Sequence, residues 1–97
     1  MSCTVILEVT AQSGKGSELI GLFASILGDT RAFDGCSGVD VVVNQDDSDN
    51  VVLLEHWESR AHYEKYLAWR QERGDLDALG GFLAGPPSIR YFDTADA

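Results

Sequence analysis

The chain has little of several things. It carries two cysteines, two prolines, two histidines and one methionine in 97 residues, and only seven Lys plus Arg against sixteen Asp plus Glu. Cys3 and Cys36 stand far apart, with no CxxC and no paired histidine spacing, so neither a zinc site nor a redox motif is written here; they read as reduced core thiols. A net charge of −9 would repel phosphate backbones and anionic lipid, which excludes nucleic acid and membrane surfaces as expected partners. The apolar run near the N-terminus is broken at Glu8 and has no basic start. It reads as neither signal peptide nor membrane span, and the expected location is the cytoplasm. Gly14 and Gly16 form the only Gly-x-Gly, without a third glycine or a Lys-Ser/Thr, so no nucleotide cofactor is announced.

What remains is an ordinary globular composition, 44% hydrophobic and 24% charged, of a length that suits one domain over residues 1–97. From Cys3 to Thr10 the odd positions are apolar, the period of a half-buried strand. A Ser13-Gly-Lys-Gly-Ser turn follows. Leu19, Leu22, Phe23, Ile26 and Leu27 then recur at helical spacing, predicting a helix from about Gly16 to Thr30. Phe33 to Gly38 reads as a loop, Val39, Val41 and Val43 as a second strand, and Asp46 to Asn50 as a solvated polar connection. A third strand runs from Val51 to Glu58. Ser59 is placed to cap a helix reaching about Arg73, a fragile helical turn begins at Asp75, and a last strand spans Ser88 to Asp93. Trp69, Arg70 and Arg73 read as a partly solvated helix face.

The resulting order, βαββαβ, predicts an α+β, ferredoxin-like fold: an antiparallel four-stranded sheet with two main helices on one face. If Val5, Leu7, Val39, Val41, Leu53, Ile89 and Tyr91 face the helices, then Ile6, Val42, Val52, Leu54 and Phe92 line the other face. Five apolar residues are too many for a solvated surface, which predicts a homodimer packed sheet on sheet.

The segment Glu55-His-Trp-Glu-Ser-Arg-Ala-His62-Tyr-Glu-Lys-Tyr resembles the strand-to-helix junction of the antibiotic biosynthesis monooxygenase family. The Asp34-Gly-Cys-Ser-Gly loop and the closing Gly85-Pro-Pro fall where that family puts them. Glu55, Trp57, Glu58, Ser59, Ala61 and His62 match its quinol monooxygenases one by one. The resemblance implies a dimer with a small pocket between sheet and helices, oxidising a small electron-rich aromatic (quinol, phenol or anthrone) with molecular oxygen and no cofactor. Haem-degrading members need an asparagine in strand one and a histidine after helix two, and neither is present. The anthrone oxygenases carry an active-site asparagine where this chain has Leu53.

On this reading His62, in the first helical turn, is the expected base, because the positive helix terminus favours a neutral imidazole. It would take a phenolic proton and make the ring a better electron donor to oxygen. Trp57 and Tyr63 would wall and orient the ring, with Glu55, Tyr66 and Leu53 as further substrate contacts and no metal. Glu55 shares the face of Trp57 and needs either a ligand role or a partner such as Arg70 or Arg90. The alternatives are a surface His62 on a non-catalytic ligand-binding dimer, or an isomerase on the same scaffold.

Overall fold

A computed structural model describes residues 2–97. The elements run β1 (Cys3–Thr10), α1 (Gly16–Arg31), β2 (Cys36–Asn44), β3 (Asp47–Trp57), α2 (Arg60–Glu72), α3 (Asp75–Gly80) and β4 (Ser88–Phe92). The strands form one antiparallel sheet in the order β2-β3-β1-β4, the ferredoxin-like arrangement that the element order predicts.

Register fixes which side chains meet. Cys3, Val5, Leu7 and Val9 of β1 lie opposite Trp57, Glu55, Leu53 and Val51 of β3, while Val39 and Val41 of β2 lie opposite Glu55 and Leu53. All of these point to the helices, because alternation sends every second residue to the same face. They pack into two adjoining clusters. Leu19, Phe23 and Leu27 of α1 cover Leu7, Val9, Val51 and Leu53, together with Leu79 and Leu83. Tyr63 and Tyr66 of α2 cover Cys3, Val5 and Trp57. On the other face Ile6, Val52 and Leu54 are half-buried, and Val42 and Phe92 are exposed at 43% and 41%.

The strands are longer than apolar alternation suggests. Cys36 to Gly38 belongs to β2, with an irregularity between Cys36 and Gly38 as the strand pairs with Trp57 and His56. β3 begins at Asp47, so the connection shrinks to Gln45 and Asp46. Backbone pairing needs no apolar side chain, and polar residues at a sheet edge leave no hydrophobic period to read. Asp49 is also more than part of a solvated turn. Its carboxylate accepts from the Gly16 N–H at 2.9 Å and the Gly14 N–H at 3.1 Å, which caps α1 from β3. Gly16 permits the approach, since a Cβ there would collide with the Ser48 carbonyl.

Ser59 caps α2 as its position implies, its hydroxyl accepting from the His62 N–H at 3.2 Å. Gly74, at φ +80°, turns the chain out of α2 and into the short α3. No helix among the described residues is long and apolar enough to cross a membrane.

Candidate active site

Three side chains of α2 turn inward, Tyr63, Tyr66 and Arg70, at spacings of three and four residues. β3 offers Leu53, Glu55 and Trp57 against them. Trp57 sits at the centre of an aromatic cluster: Tyr63 meets it edge-on at 5.5 Å between ring centroids, Tyr66 lies at 5.1 Å and Phe33 at 6.2 Å. Such contacts fix ring orientations as well as excluding water.

Glu55 is the anomaly in this layer. It is 2% exposed, and neither of the expected arginines reaches it: Arg70 bonds elsewhere, and Arg90 lies on the opposite face beside Glu8 at 3.6 Å. Its one bond among the described residues is from Trp57, whose indole Nε1–H donates to Oε1 at 3.1 Å. Oε2 has no such partner. Yet no fully buried side-chain oxygen among the described residues goes unsatisfied, so Oε2 keeps accessible surface. Glu55 lines, with Leu53, Tyr63 and Tyr66, a cavity of about 40 Å³ between β3, α1, α2 and α3. Burial pushes the Glu55 carboxyl up from 4.5 to about 7, against the opposing pull of the Trp57 bond. Near neutral pH it can therefore both take and return a proton.

The two tyrosines differ in what holds them. Tyr66 shares a 2.7 Å bond with Thr30 Oγ1 and accepts from Arg70 Nε at 2.9 Å, so its hydroxyl is fully engaged. Burial pushes its phenol up, while the Thr30 and Arg70 bonds pull the other way. Tyr63 has no hydrogen bond of this kind, and burial, then the Glu55 charge, push its phenol well above its ordinary value. It is a neutral wall at neutral pH.

Arg70, which reads from sequence as partly solvated, is 2% exposed. Besides Tyr66 it donates to Asp75 at 2.9 Å, the Ile26 carbonyl at 2.8 Å and Thr30 at 3.0 Å. It ties α1, α2 and the start of α3 together behind the cavity. Only its seven-residue offset from Tyr63, the inward-turning period, marks it in the sequence.

His62 does not join this group. One position before Tyr63, it turns about 100° away around the helix. Its ring packs against Gly35, with Nδ1 at 2.6 Å from Ser59 Oγ and Nε2 at 3.3 Å from Glu58. It lines a shallow depression with Asp34, Ala61 and Lys65. The structure thus brings Leu53, Glu55, Trp57, Tyr63 and Tyr66 together and leaves His62 on the surface.

Two further hollows complete the picture. One, of about 120 Å³ and almost wholly apolar, adjoins the Glu55 cavity: Leu7, Tyr63, Leu67, Leu76 and Leu79 line both. The other is an open groove of about 350 Å³ where Ser59, Arg60 and Tyr91 meet, with the Arg60 guanidinium 3.8 Å above the Tyr91 ring. It contains none of the buried polar groups described above. No group of three or more His, Cys, Asp or Glu among the described residues could hold a metal ion.

The ferredoxin-like fold is shared with a known family and with solved structures. The family model for the antibiotic biosynthesis monooxygenases matches residues 2–72, and the chain belongs to that family. No curated protein matches it. Among solved structures, Rv0793 of Mycobacterium tuberculosis is 23% identical, with a TM-score of 0.85 over 100% of this chain and 98% of its own. SnoaB of Streptomyces nogalater, a cofactor-independent oxygenase, is 16% identical, with a TM-score of 0.84 over 99% and 95%. A conserved protein of Methanosarcina mazei Go1 is also 16% identical, with a TM-score of 0.86 over 98% and 94%. At these identities the likeness speaks for the fold.

Proposed function

We propose that this protein is a cofactor-independent monooxygenase that oxidises a small electron-rich aromatic, of the quinol, phenol or anthrone class, with molecular oxygen, using Glu55 as its base. The observation that carries this reading is the buried, half-partnered carboxylate facing a cavity walled by Tyr63, Tyr66 and Leu53. Trp57 holds Oε1, so Oε2 is the oxygen presented to a ligand. This assignment moves the base from His62, which lies on the surface, to a residue inside the pocket.

The chemistry balances without an added redox partner. Glu55 takes the hydroxyl proton, and the resulting phenolate gives one electron to oxygen. The ring radical and superoxide then join through a new C–O bond. Glu55 returns its proton to the peroxide, the O–O bond breaks as the proton on the same carbon leaves, and a carbonyl and water remain. The apolar walls matter because a carboxylate and a phenol exchange a proton more readily where water does not solvate either ion. SnoaB, on the same fold, is described as a cofactor-independent oxygenase, which supports the class of reaction.

The half-exposed apolar face of the sheet supports a second proposal, a homodimer packed through Ile6, Val42, Val52, Leu54 and Phe92. Two free thiols, Cys3 and Cys36, suit a reducing compartment, and we assign the protein to the cytoplasm.

The test is oxygen uptake by metal- and flavin-free protein with a hydroquinone, a naphthohydroquinone and anthrone, beside Glu55→Gln and a protein-free blank. Uptake above the blank that falls by roughly 10² to 10⁴ in the variant is expected for loss of a general base. Uptake equal to the blank for every compound overturns the reading.

A further inference from the structure

The two adjoining cavities are of unequal size, and their sizes select different things. An apolar cavity of about 150 Å³ holds a benzene ring, whereas a water needs only about 15 Å³. The 40 Å³ space at Glu55 is too small for a ring and large enough for a hydroxyl or an oxygen molecule; the 120 Å³ space beside it approaches the size of a single ring. Leu67, Leu76 and Leu79 of the helical side, with Leu7 and Tyr63, line both. Of these, Leu67 and Leu76 are half-buried, and Leu76 is the one on the six-residue α3, between Gly74 and Gly80, outside the longer and better-anchored α2.

Charge selects as strongly as size. Glu55 and Asp75 line the smaller cavity, and its one cation, Arg70, already gives its guanidinium to Asp75, Tyr66, Thr30 and the Ile26 carbonyl. A ligand carboxylate or phosphate would enter without a partner, a cost far beyond what ring burial returns.

Resting on the proposed oxygenase reading, we infer that the substrate is an uncharged single-ring phenol or hydroquinone, its ring in the larger cavity and its hydroxyl toward Glu55, with Leu76 setting the size limit. Fused two- and three-ring compounds are rejected by volume, and ring carboxylic acids by charge.

Calorimetric titration of the full chain at about pH 8 with p-cresol, 4-hydroxybenzoate and 2-naphthol tests this. The expected result is p-cresol binding at least about tenfold more tightly than either of the others, and Leu76→Ala raising 2-naphthol affinity about tenfold while 4-hydroxybenzoate stays weak. Equal binding of 2-naphthol or 4-hydroxybenzoate to the wild type, or no binding of p-cresol, overturns the inference. So does a folded Leu76→Ala that leaves the 2-naphthol ratio unchanged; should that variant fail to melt cooperatively, the wild-type ratios decide. The two readings fail separately. Selective p-cresol binding without oxygen uptake removes the oxygenase and keeps the ring site, whereas Glu55-dependent uptake with equal 2-naphthol binding removes the ring-size inference alone.

Discussion

Glu55 and Trp57 stand two residues apart on one strand and share a single 3.1 Å hydrogen bond, from the indole Nε1–H to one carboxylate oxygen. The pair is buried, the other oxygen accepts no hydrogen bond from a described residue, and Glu55 lines the cavity. A carboxylate with one tethered oxygen has a fixed plane, so the direction from which it receives a proton is fixed as well.

The rate of the proposed reaction should rise with pH through about 7, because the base works only when ionised and burial holds its carboxyl near that value. Trp57→Phe removes the only donor to Glu55 among the described residues, so the carboxyl rises further and the midpoint of the pH–rate profile moves up. A profile of oxygen uptake for both proteins between about pH 5 and pH 9 checks it; an unmoved midpoint counts against the pair.

Stability should show the same carboxyl with the opposite trend. Unfolded, Glu55 ionises near 4.5; folded, it keeps its proton to about 7. Between those values the native state binds more protons, so the free energy of unfolding falls as pH rises through the window, by about 3 kcal/mol in all. Glu55→Gln removes this slope. Urea unfolding of wild type and variant at about pH 4.5, 6 and 8 isolates the difference.

Tyr63 and Tyr66 should respond differently to loss of the hydroxyl. Tyr66→Phe leaves Arg70 Nε without a buried partner and removes one of the two bonds of Thr30 Oγ1, which keeps only Arg70, and should cost about 1 to 3 kcal/mol. Tyr63→Phe removes a hydroxyl that bonds nothing described and should cost less than about 1 kcal/mol. Equal losses in thermal melts would contradict the bonding found here.

His62→Ala should lower oxygen uptake by no more than about threefold, well short of the roughly 10² to 10⁴ lost with a general base. Its ring touches Ser59, Glu58 and Gly35 and reaches neither cavity beside Tyr63. A collapse of activity in this variant would return the base to His62.

Alternation in Cys3 to Thr10 and in Val39 to Val43, with the helical spacing from Leu19 to Leu27, makes the sheet, its two faces and α1 legible in the sequence. Ser59 was legible as a cap because its hydroxyl acts within three residues of itself. That Glu55, Trp57, Tyr63, Tyr66 and Leu53 lie together is legible for a related reason, strand and helix periods placing them on facing surfaces. Long-range polar contacts leave no such trace. Arg70 is buried because Ile26, Thr30 and Asp75 arrive from elsewhere in the chain, and Asp49 caps a helix that begins 33 residues before it. A charged residue whose partners are distant in sequence looks like any solvated one. The placement of His62 was not legible for the converse reason: its chemistry suits a base, but its neighbour Tyr63 holds the inward position on the helix.

The placement of β1 bears on how the chain is made. It is a central strand, paired on one side with β3 and on the other with β4, so that Thr4 to Glu8 meet Ser88 to Phe92. Its β4 edge therefore stays unpaired until residues 88–92 have been made, several seconds later at about 5 to 20 residues per second. During synthesis α1, β2 and β3 can assemble, but Ile6 and Leu7 stay open to other strands. The acidic excess of the chain then acts as a guard, since nascent copies on one message repel each other while that edge waits for its partner.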